Sequence, residues 1–134
     1  MKKRSIICLA FLLIGCYASL NKGLTTGNIL QLFEQHHLTL TKTKLDTTNT
    51  IGMKLNGVKP NVYLLDDKPL YMYVFHSTNA AQDAIKEFNE KTATANLVSF
   101  NVYTKDNVLL YYVHGQDLAI VVSIDAVINN ALNE

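Results

Sequence analysis

Cysteine is scarce in this chain of 134 residues: it occurs only as Cys8 and Cys16. Because Cys8 lies inside an apolar run near the start, the chain after that run keeps one cysteine and cannot form a disulfide with itself. A domain exported into an oxidising compartment would then be stabilised by its hydrophobic core alone. The length that remains after the first 15 residues is sufficient for one such core.

Basic residues are also few, and three of them lie together at the start. Arg4 is the single arginine, and it follows Lys2 and Lys3. The rest of the chain has nine lysines against eleven carboxylates, a net charge of about −2. A slightly acidic domain has no basic surface for nucleic acid or for anionic lipid. We therefore expect no nucleic-acid partner, and any membrane attachment must have a cause other than charge.

Sequence signatures of catalysis are missing as well. The chain has no Gly-x-Ser-x-Gly motif, no glycine-rich phosphate loop and no calcium-binding aspartate pattern. Asp66 and Asp67 form a pair of carboxylates, but adjacent aspartates between two apolar runs are typical of a turn in water. We expect a protein that is not an enzyme and that has no cofactor.

What the chain does have is a leader with the layout of a secretory signal peptide. Basic residues at positions 2–4 precede an apolar run from Ile6 to Ile14. That run is too short for a bilayer, which needs roughly 20 residues, so it predicts an export element that is removed. We assign residues 1–15 to this signal peptide.

Leu13-Ile14-Gly15-Cys16 closes the leader and resembles the lipobox of bacterial lipoproteins. The resemblance implies that the Cys16 sulfur receives a diacylglyceryl group and that cleavage then makes Cys16 the first residue. Two acyl chains, at about 0.8 kcal/mol per buried methylene, would hold the protein firmly at the extracytoplasmic face of the cell membrane. Cleavage after Ala18 or Ser19 is the alternative, and it would release the domain.

The chain after Cys16 divides into a short tether, residues 16–27, and a single domain, residues 28–134. A first helix is predicted with Thr26 or Asn28 as its N-cap, ending at the histidine pair His36-His37. Five strands are predicted, the last four as two hairpins. They are Leu38–Leu45, Asn61–Leu65 with Pro69–His76, and Asn96–Tyr103 with Val108–His114.

A second helix is predicted from Ser77 or Asn79 to Lys91, with alanines, Ile85 and Phe88 on one face. The tail from Asp117 to Leu132 fits either a strand or a helix, and its apolar spacing favours a helix. Together these elements predict an α+β domain in which helices cover one face of an antiparallel sheet of three to five strands.

The body of the chain resembles small, uncharacterised lipoproteins of bacilli and related Gram-positive bacteria. The resemblance lies in Leu55–Pro60, Tyr63, the strand Leu70–Phe75 with Ser77 after it, and Asn107–Tyr112. It covers most of the chain after the leader, and it implies location and fold. It carries no activity, so no catalytic residue is transferred.

Histidines are the candidates for metal binding, because neutral imidazole is a common ligand. His36 and His37 are explained by a helix end, where they interact favourably with the last carbonyls. His76 and His114 each end a predicted strand and could meet if those strands were neighbours. They are weak candidates, since two imidazoles do not complete a zinc site.

Tyrosines are the candidates for binding. Tyr71, Tyr73, Tyr103, Tyr111 and Tyr112 all lie in predicted strands. If helices cover one face of the sheet, tyrosines on the other face would meet solvent and could bind a partner. The alternative is that these rings only cover a half-buried sheet.

Three hypotheses for the function follow. The first is a tethered binding or accessory domain for an envelope protein, and the second is a metal-binding or enzymatic domain that uses His76 and His114. The third is a structural or stress-related envelope protein.

Overall fold

The computed structural model of the protein describes residues 23–44, 49–116 and 118–133; the predicted signal peptide and Cys16 lie outside the described residues. The helices and strands are, in chain order, α1 (Thr26–Gln35), β1 (Leu40–Thr43), β2 (Asn61–Leu65), β3 (Lys68–Val74), α2 (Thr78–Thr92), β4 (Phe100–Lys105), β5 (Val108–Val113) and α3 (Leu118–Asn133). A 3₁₀ turn, Thr50–Gly52, precedes β2. No helix in the described ranges has the length and apolar character that a membrane span requires.

The strands form one antiparallel sheet in the order β1-β2-β3-β5-β4. Both predicted hairpins are confirmed, and each has a two-residue connection. At Asp66 and Asp67 the φ angles are +52° and +60°, which matches the twist of a tight hairpin and is tolerated by aspartate. The tail is the predicted helix, and the α+β class with an antiparallel sheet is confirmed.

The predicted placement of all helices on one face of the sheet is wrong. α1 and α3 cover the face that carries Leu70 and Met72, whereas α2 and the segment before β2 cover the face that carries Tyr71 and Tyr73. The physical reason lies in the strands themselves, because β3 and β5 are apolar on both sides. Burying two apolar faces needs a layer on each.

Local capping chemistry sets where the helices begin. Thr25, not Thr26 or Asn28, is the N-cap of α1: its Oγ1 accepts a hydrogen bond from the Asn28 amide at 3.2 Å, and the Asn28 side chain accepts one from the Thr25 amide at 2.9 Å. Leu24 already packs against the core. The folded domain therefore begins before residue 28, and the predicted tether is too long at its C-terminal end.

Ser77 is the N-cap of α2, as predicted, since its Oγ accepts a hydrogen bond from the Ala80 amide at 3.1 Å. The outer strands are shorter than predicted: β1 spans Leu40–Thr43 and β4 starts at Phe100. Both lie at the edges of the sheet, where one neighbour instead of two leaves the strand ends less supported.

Candidate functional site

The five tyrosines expected at a binding surface are buried. Their side chains are exposed by no more than 5%, which is the value for Tyr103. The residues are Tyr71, Tyr73, Tyr103, Tyr111 and Tyr112. The prediction of a solvent-facing tyrosine surface is therefore wrong, because the sheet has a helical layer on each side.

On the α2 side, tyrosine hydroxyls fasten the segment before β2 to the sheet. The Tyr73 hydroxyl lies 2.7 Å from the Met53 carbonyl oxygen and 2.9 Å from that of Ile51, and it donates to them. Asn49 Nδ2 donates to the Tyr71 hydroxyl at 3.3 Å. A Cβ at Gly52 would come within 2.8 Å of the Tyr71 ring, so only glycine fits this close approach. These rings hold a loop in place.

On the other side, tyrosines hold α3 and the first hairpin. The Tyr112 hydroxyl donates to the Leu65 carbonyl oxygen at 3.1 Å. The Tyr103 hydroxyl donates to Asp125 Oδ1 at 2.6 Å, and Asn101 Nδ2 donates to the same hydroxyl at 3.2 Å. Burial is the main cause that raises the pKa of Tyr103 above its ordinary value. The hydrogen bond from its hydroxyl to the Asp125 carboxylate raises that pKa further. This cluster joins β4 to α3.

Tyr111 differs from its neighbours because its hydroxyl has no hydrogen-bond partner in the described part of the chain. Its ring lies 4.5 Å from that of Phe88 and 5.6 Å from that of Phe100, measured between centroids. Burial raises the pKa of Tyr111, and burial together with the nearby tyrosines raises that of Tyr73. Tyr111 acts as an aromatic core residue that carries an uncompensated polar atom.

The two strand-end histidines do not meet. β3 and β5 are antiparallel neighbours, with Val74 opposite Val108 and Leu70 opposite Tyr112. His76 therefore lies near the turn between β4 and β5, and His114 lies at the opposite end of the sheet, about 26 Å away at the usual rise per residue. The hypothesis of a metal or catalytic site built from both histidines is wrong for this reason.

The surroundings of the histidines also differ. His76 is exposed, while His114 is 6% exposed and its Nδ1 has no hydrogen-bond partner among the described groups. His36 is the C-cap of α1, the helix-end position expected from the sequence. Across the described ranges, no three histidine, cysteine, aspartate or glutamate side chains are grouped so that they could hold a metal ion.

Asn107 has a role that the sequence did not indicate. It lies in the turn between β4 and β5 and is 4% exposed. Its Oδ1 accepts a hydrogen bond from the Leu24 amide at 2.7 Å, and its Nδ2 donates to the carbonyl oxygens of Leu24 at 2.8 Å and Phe75 at 2.7 Å. An asparagine in a hairpin turn is usually read as a turn former in water. Here it fixes the first described residues to the sheet.

Two grooves flank α1. One has a volume of about 740 Å³, an apolar floor that includes Leu24, Leu32 and Leu132, and a rim of amide side chains. The other, of about 720 Å³, lies between α1 and β1 and is lined by both apolar and charged residues. Its lining is Leu30, Glu34, His37, Leu38, Thr39, Leu40, Lys42 and Tyr63. Neither groove brings together the sequence-predicted candidates.

The sheet has two edges of different character. At one edge, β1 has four residues and includes Lys42. At the other, β4 has six residues, and Val102 on it is 44% exposed. We call β4 together with Val98, which precedes it in the chain, the β4 edge.

No protein-family model, no curated protein and no solved structure matches the chain. Any indication of function therefore comes from the chemistry of the chain's own residues.

Proposed function

We propose that the chain is a lipoprotein anchored through Cys16 to the extracytoplasmic face of the cell membrane, and that its domain is a non-enzymatic binding or accessory domain for a partner in the envelope. The observation that carries the proposal is that Cys16 ends a stretch resembling a lipobox and lies seven residues before Gly23. Gly23 adjoins Leu24, the residue that Asn107 holds.

The tether in this proposal is short. An extended chain spans at most about 3.3–3.6 Å per residue, so the seven steps from Cys16 to Gly23 reach about 25 Å at most. The domain would stay near the bilayer surface with its start held by Asn107. A partner in the envelope would then be met close to the membrane surface.

The use of the polar side chains supports a non-catalytic role. Hydroxyls of Tyr73, Tyr103 and Tyr112 hold a loop, α3 and the first hairpin in place, so they serve the fold. His76 and His114 lie at opposite ends of β3 and β5, so they do not combine into one site. A binding role needs surface, and the sheet edges and grooves offer it.

Replacement of Cys16 tests the anchor, and Cys8→Ser is the matched control within the leader. In a Gram-positive host fed with labelled palmitate, the wild-type chain and Cys8→Ser should be labelled and should fractionate with membranes. Cys16→Ser should lose the label and leave the membrane fraction, because the thiol that accepts the lipid is gone. An unlabelled wild-type chain, or identical fractionation of all three, would refute the proposal.

The cleavage site gives a second test. Mass spectrometry of the processed wild-type protein should find an N-terminal Cys16 that carries diacylglycerol. A processed chain that starts after Ala18 or Ser19 would instead identify a released protein and remove the anchor from the proposal.

A further inference from the structure

The two edge strands differ in how they are protected against pairing with another strand. Proteins usually protect such edges with short strands, lysines or prolines. β1 is short, and Lys42 and Lys44 lie in and beside it. β4 is longer, and the stretch from Leu97 to Thr104 contains no charged residue, proline or glycine. The only charged residue of β4 is Lys105 at its end, so the middle of this strand lacks the usual protections.

Two exposed apolar residues lie in and beside the same edge strand. The large hydrophobic residues with high exposure in the described ranges are Val98 at 60%, Val102 at 44% and Val122 at 74%. Val102 is in β4 and Val98 lies just before it. Val122 is on α3, which covers the opposite face of the sheet from Val102. Val98 and Val102 are thus the exposed apolar residues in and beside β4.

We propose that the β4 edge pairs with the β4 edge of a second copy of this chain, antiparallel and about a two-fold axis at Val102. The two sheets would then join into one. This pairing is one form of the proposed binding role. It relies on the proposed anchor, because confinement to the membrane raises the effective concentration of a weak partner.

The sequence of β4 is complementary to itself in this register. Val102 faces Val102 of the other copy, so two exposed apolar side chains cover each other. Asn101 faces Tyr103, and Phe100 faces Thr104. An antiparallel two-fold contact uses the same patch on both subunits, as a symmetric dimer requires.

The charges also allow this register. Lys105 falls opposite Ser99, and the two lysines lie six residues apart along the strand, about 20 Å, which exceeds the screening length of about 8–10 Å. The two Asp125 carboxylates come nearer to the axis, but each already accepts hydrogen bonds from Tyr103 and Asn101 of its own chain. We therefore expect a weak dimer in solution that confinement to the membrane strengthens.

Cysteine cross-linking tests the register in the full chain. Under the proposed function Cys16 is acylated, so Val102→Cys supplies a single free thiol after processing. Opposite Cβ atoms in such a pair are about 4.5–5.5 Å apart, close to the separation in a disulfide. Mild oxidation of membranes should convert Val102→Cys into a species of twice the monomer mass.

Two controls distinguish pairing from collision. Thr104→Cys is exposed on the same strand, but in this register its two copies are about 13 Å apart, too far for a disulfide. Thr41→Cys is exposed on the opposite edge strand. Each should cross-link about tenfold less than Val102→Cys, because specific pairing raises the local thiol concentration only at Val102. Equal cross-linking at all three positions would overturn the proposal.

Val102→Lys provides the complementary measurement, since lysine is common on edge strands and the position is partly exposed. The purified lipidated chain in detergent should show a concentration-dependent dimer by sedimentation, and Val102→Lys with unchanged melting should be monomeric. A monomeric wild-type chain at every concentration with no cross-link at Val102, or a cross-link to a different protein, would overturn pairing between copies.

The wild-type chain separates failure of this inference from failure of the anchor. If Cys16 were a free thiol, oxidised wild-type chain would itself form a dimer, and the anchor would be wrong. If palmitate labels Cys16 but Val102→Cys stays monomeric, the anchor stands and the pairing is wrong.

Discussion

Asn107 and Leu24 are 83 positions apart in the chain, yet the asparagine side chain bonds both backbone groups of the leucine, at 2.7 Å and 2.8 Å. The same Nδ2 also donates to the Phe75 carbonyl oxygen. One buried amide thus joins the start of the domain, the end of β3 and the turn after β4. In an anchored protein, a force transmitted along the tether would act on these hydrogen bonds between Asn107 and Leu24.

Asn107→Ala should lower the free energy of unfolding by about 2–4 kcal/mol, because it leaves the Leu24 amide and the carbonyl oxygens of Leu24 and Phe75 without their partner. Chemical denaturation of the chain would measure the change. Asn130→Ala, at an exposed position of α3, is the control and should change stability by less than about 0.5 kcal/mol. Equal stability of both variants would contradict the role of Asn107.

Gly23→Ala should destabilise the domain by about 1 kcal/mol, since a Cβ there would lie 3.0 Å from three atoms of the Asn107 side chain and would push it from its hydrogen bonds. Gly27→Ala is the matched variant in α1, where the nearest atom, Thr25 Oγ1, is 3.7 Å from the added Cβ. It should stabilise by up to about 1 kcal/mol, because alanine favours helix. Shifts in melting temperature of the same sign would contradict this contrast.

The parts of the fold that could be predicted from the sequence are the local ones. The hairpin at Asp66 and Asp67 follows from turn chemistry, and α2 follows from the Ser77 cap and the apolar face that includes Phe88. The arrangement of layers is not local. Leu70 and Met72 alternate with Tyr71 and Tyr73, so both faces of β3 are apolar and each needs a cover. Which helix covers which face depends on contacts between residues far apart in the chain.

The candidate site was harder to predict, for two physical reasons. Strand order decides whether His76 and His114 meet, and antiparallel pairing of β3 with β5 separates them. Burial decides the role of a polar residue. The local sequence around an asparagine in a turn, or a tyrosine in a strand, is the same whether the side chain meets water or bonds to buried backbone. Only the packed neighbours distinguish the two cases.

Tyr111→Phe should raise the free energy of unfolding by about 1 kcal/mol, because it removes a buried hydroxyl that has no partner among the described residues and keeps the ring contacts with Phe88 and Phe100. Tyr73→Phe, the matched change in the adjacent strand, should lower it by about 1–2 kcal/mol, since the hydroxyl there donates to the Met53 carbonyl. Urea denaturation of both variants would measure the difference, and destabilisation by Tyr111→Phe would show that its hydroxyl has a partner.

Tyrosine burial also predicts alkaline unfolding. Five tyrosines have pKa values that are raised in the folded protein, chiefly by burial, whereas in the unfolded chain these values should lie near the usual 10.0. They are Tyr63, Tyr71, Tyr73, Tyr103 and Tyr111. Below that pH both states keep these protons, so these groups give stability no pH dependence. Above it the unfolded chain loses protons that the folded chain keeps, and the free energy of unfolding must fall as the pH rises.

Up to five protons leave these tyrosines on unfolding, so the slope of stability against pH should steepen above pH 10 and should be about a fifth shallower in Tyr111→Phe. Denaturant unfolding at a series of alkaline pH values gives that slope, and ultraviolet absorbance of tyrosinate reports the ionisation. The absorbance of the buried rings should rise together with the loss of helical circular dichroism. Full ionisation near pH 10 in a protein that keeps its fold would mean that water reaches these hydroxyls, and the two-layered cover of the sheet would have to be looser than its packing indicates.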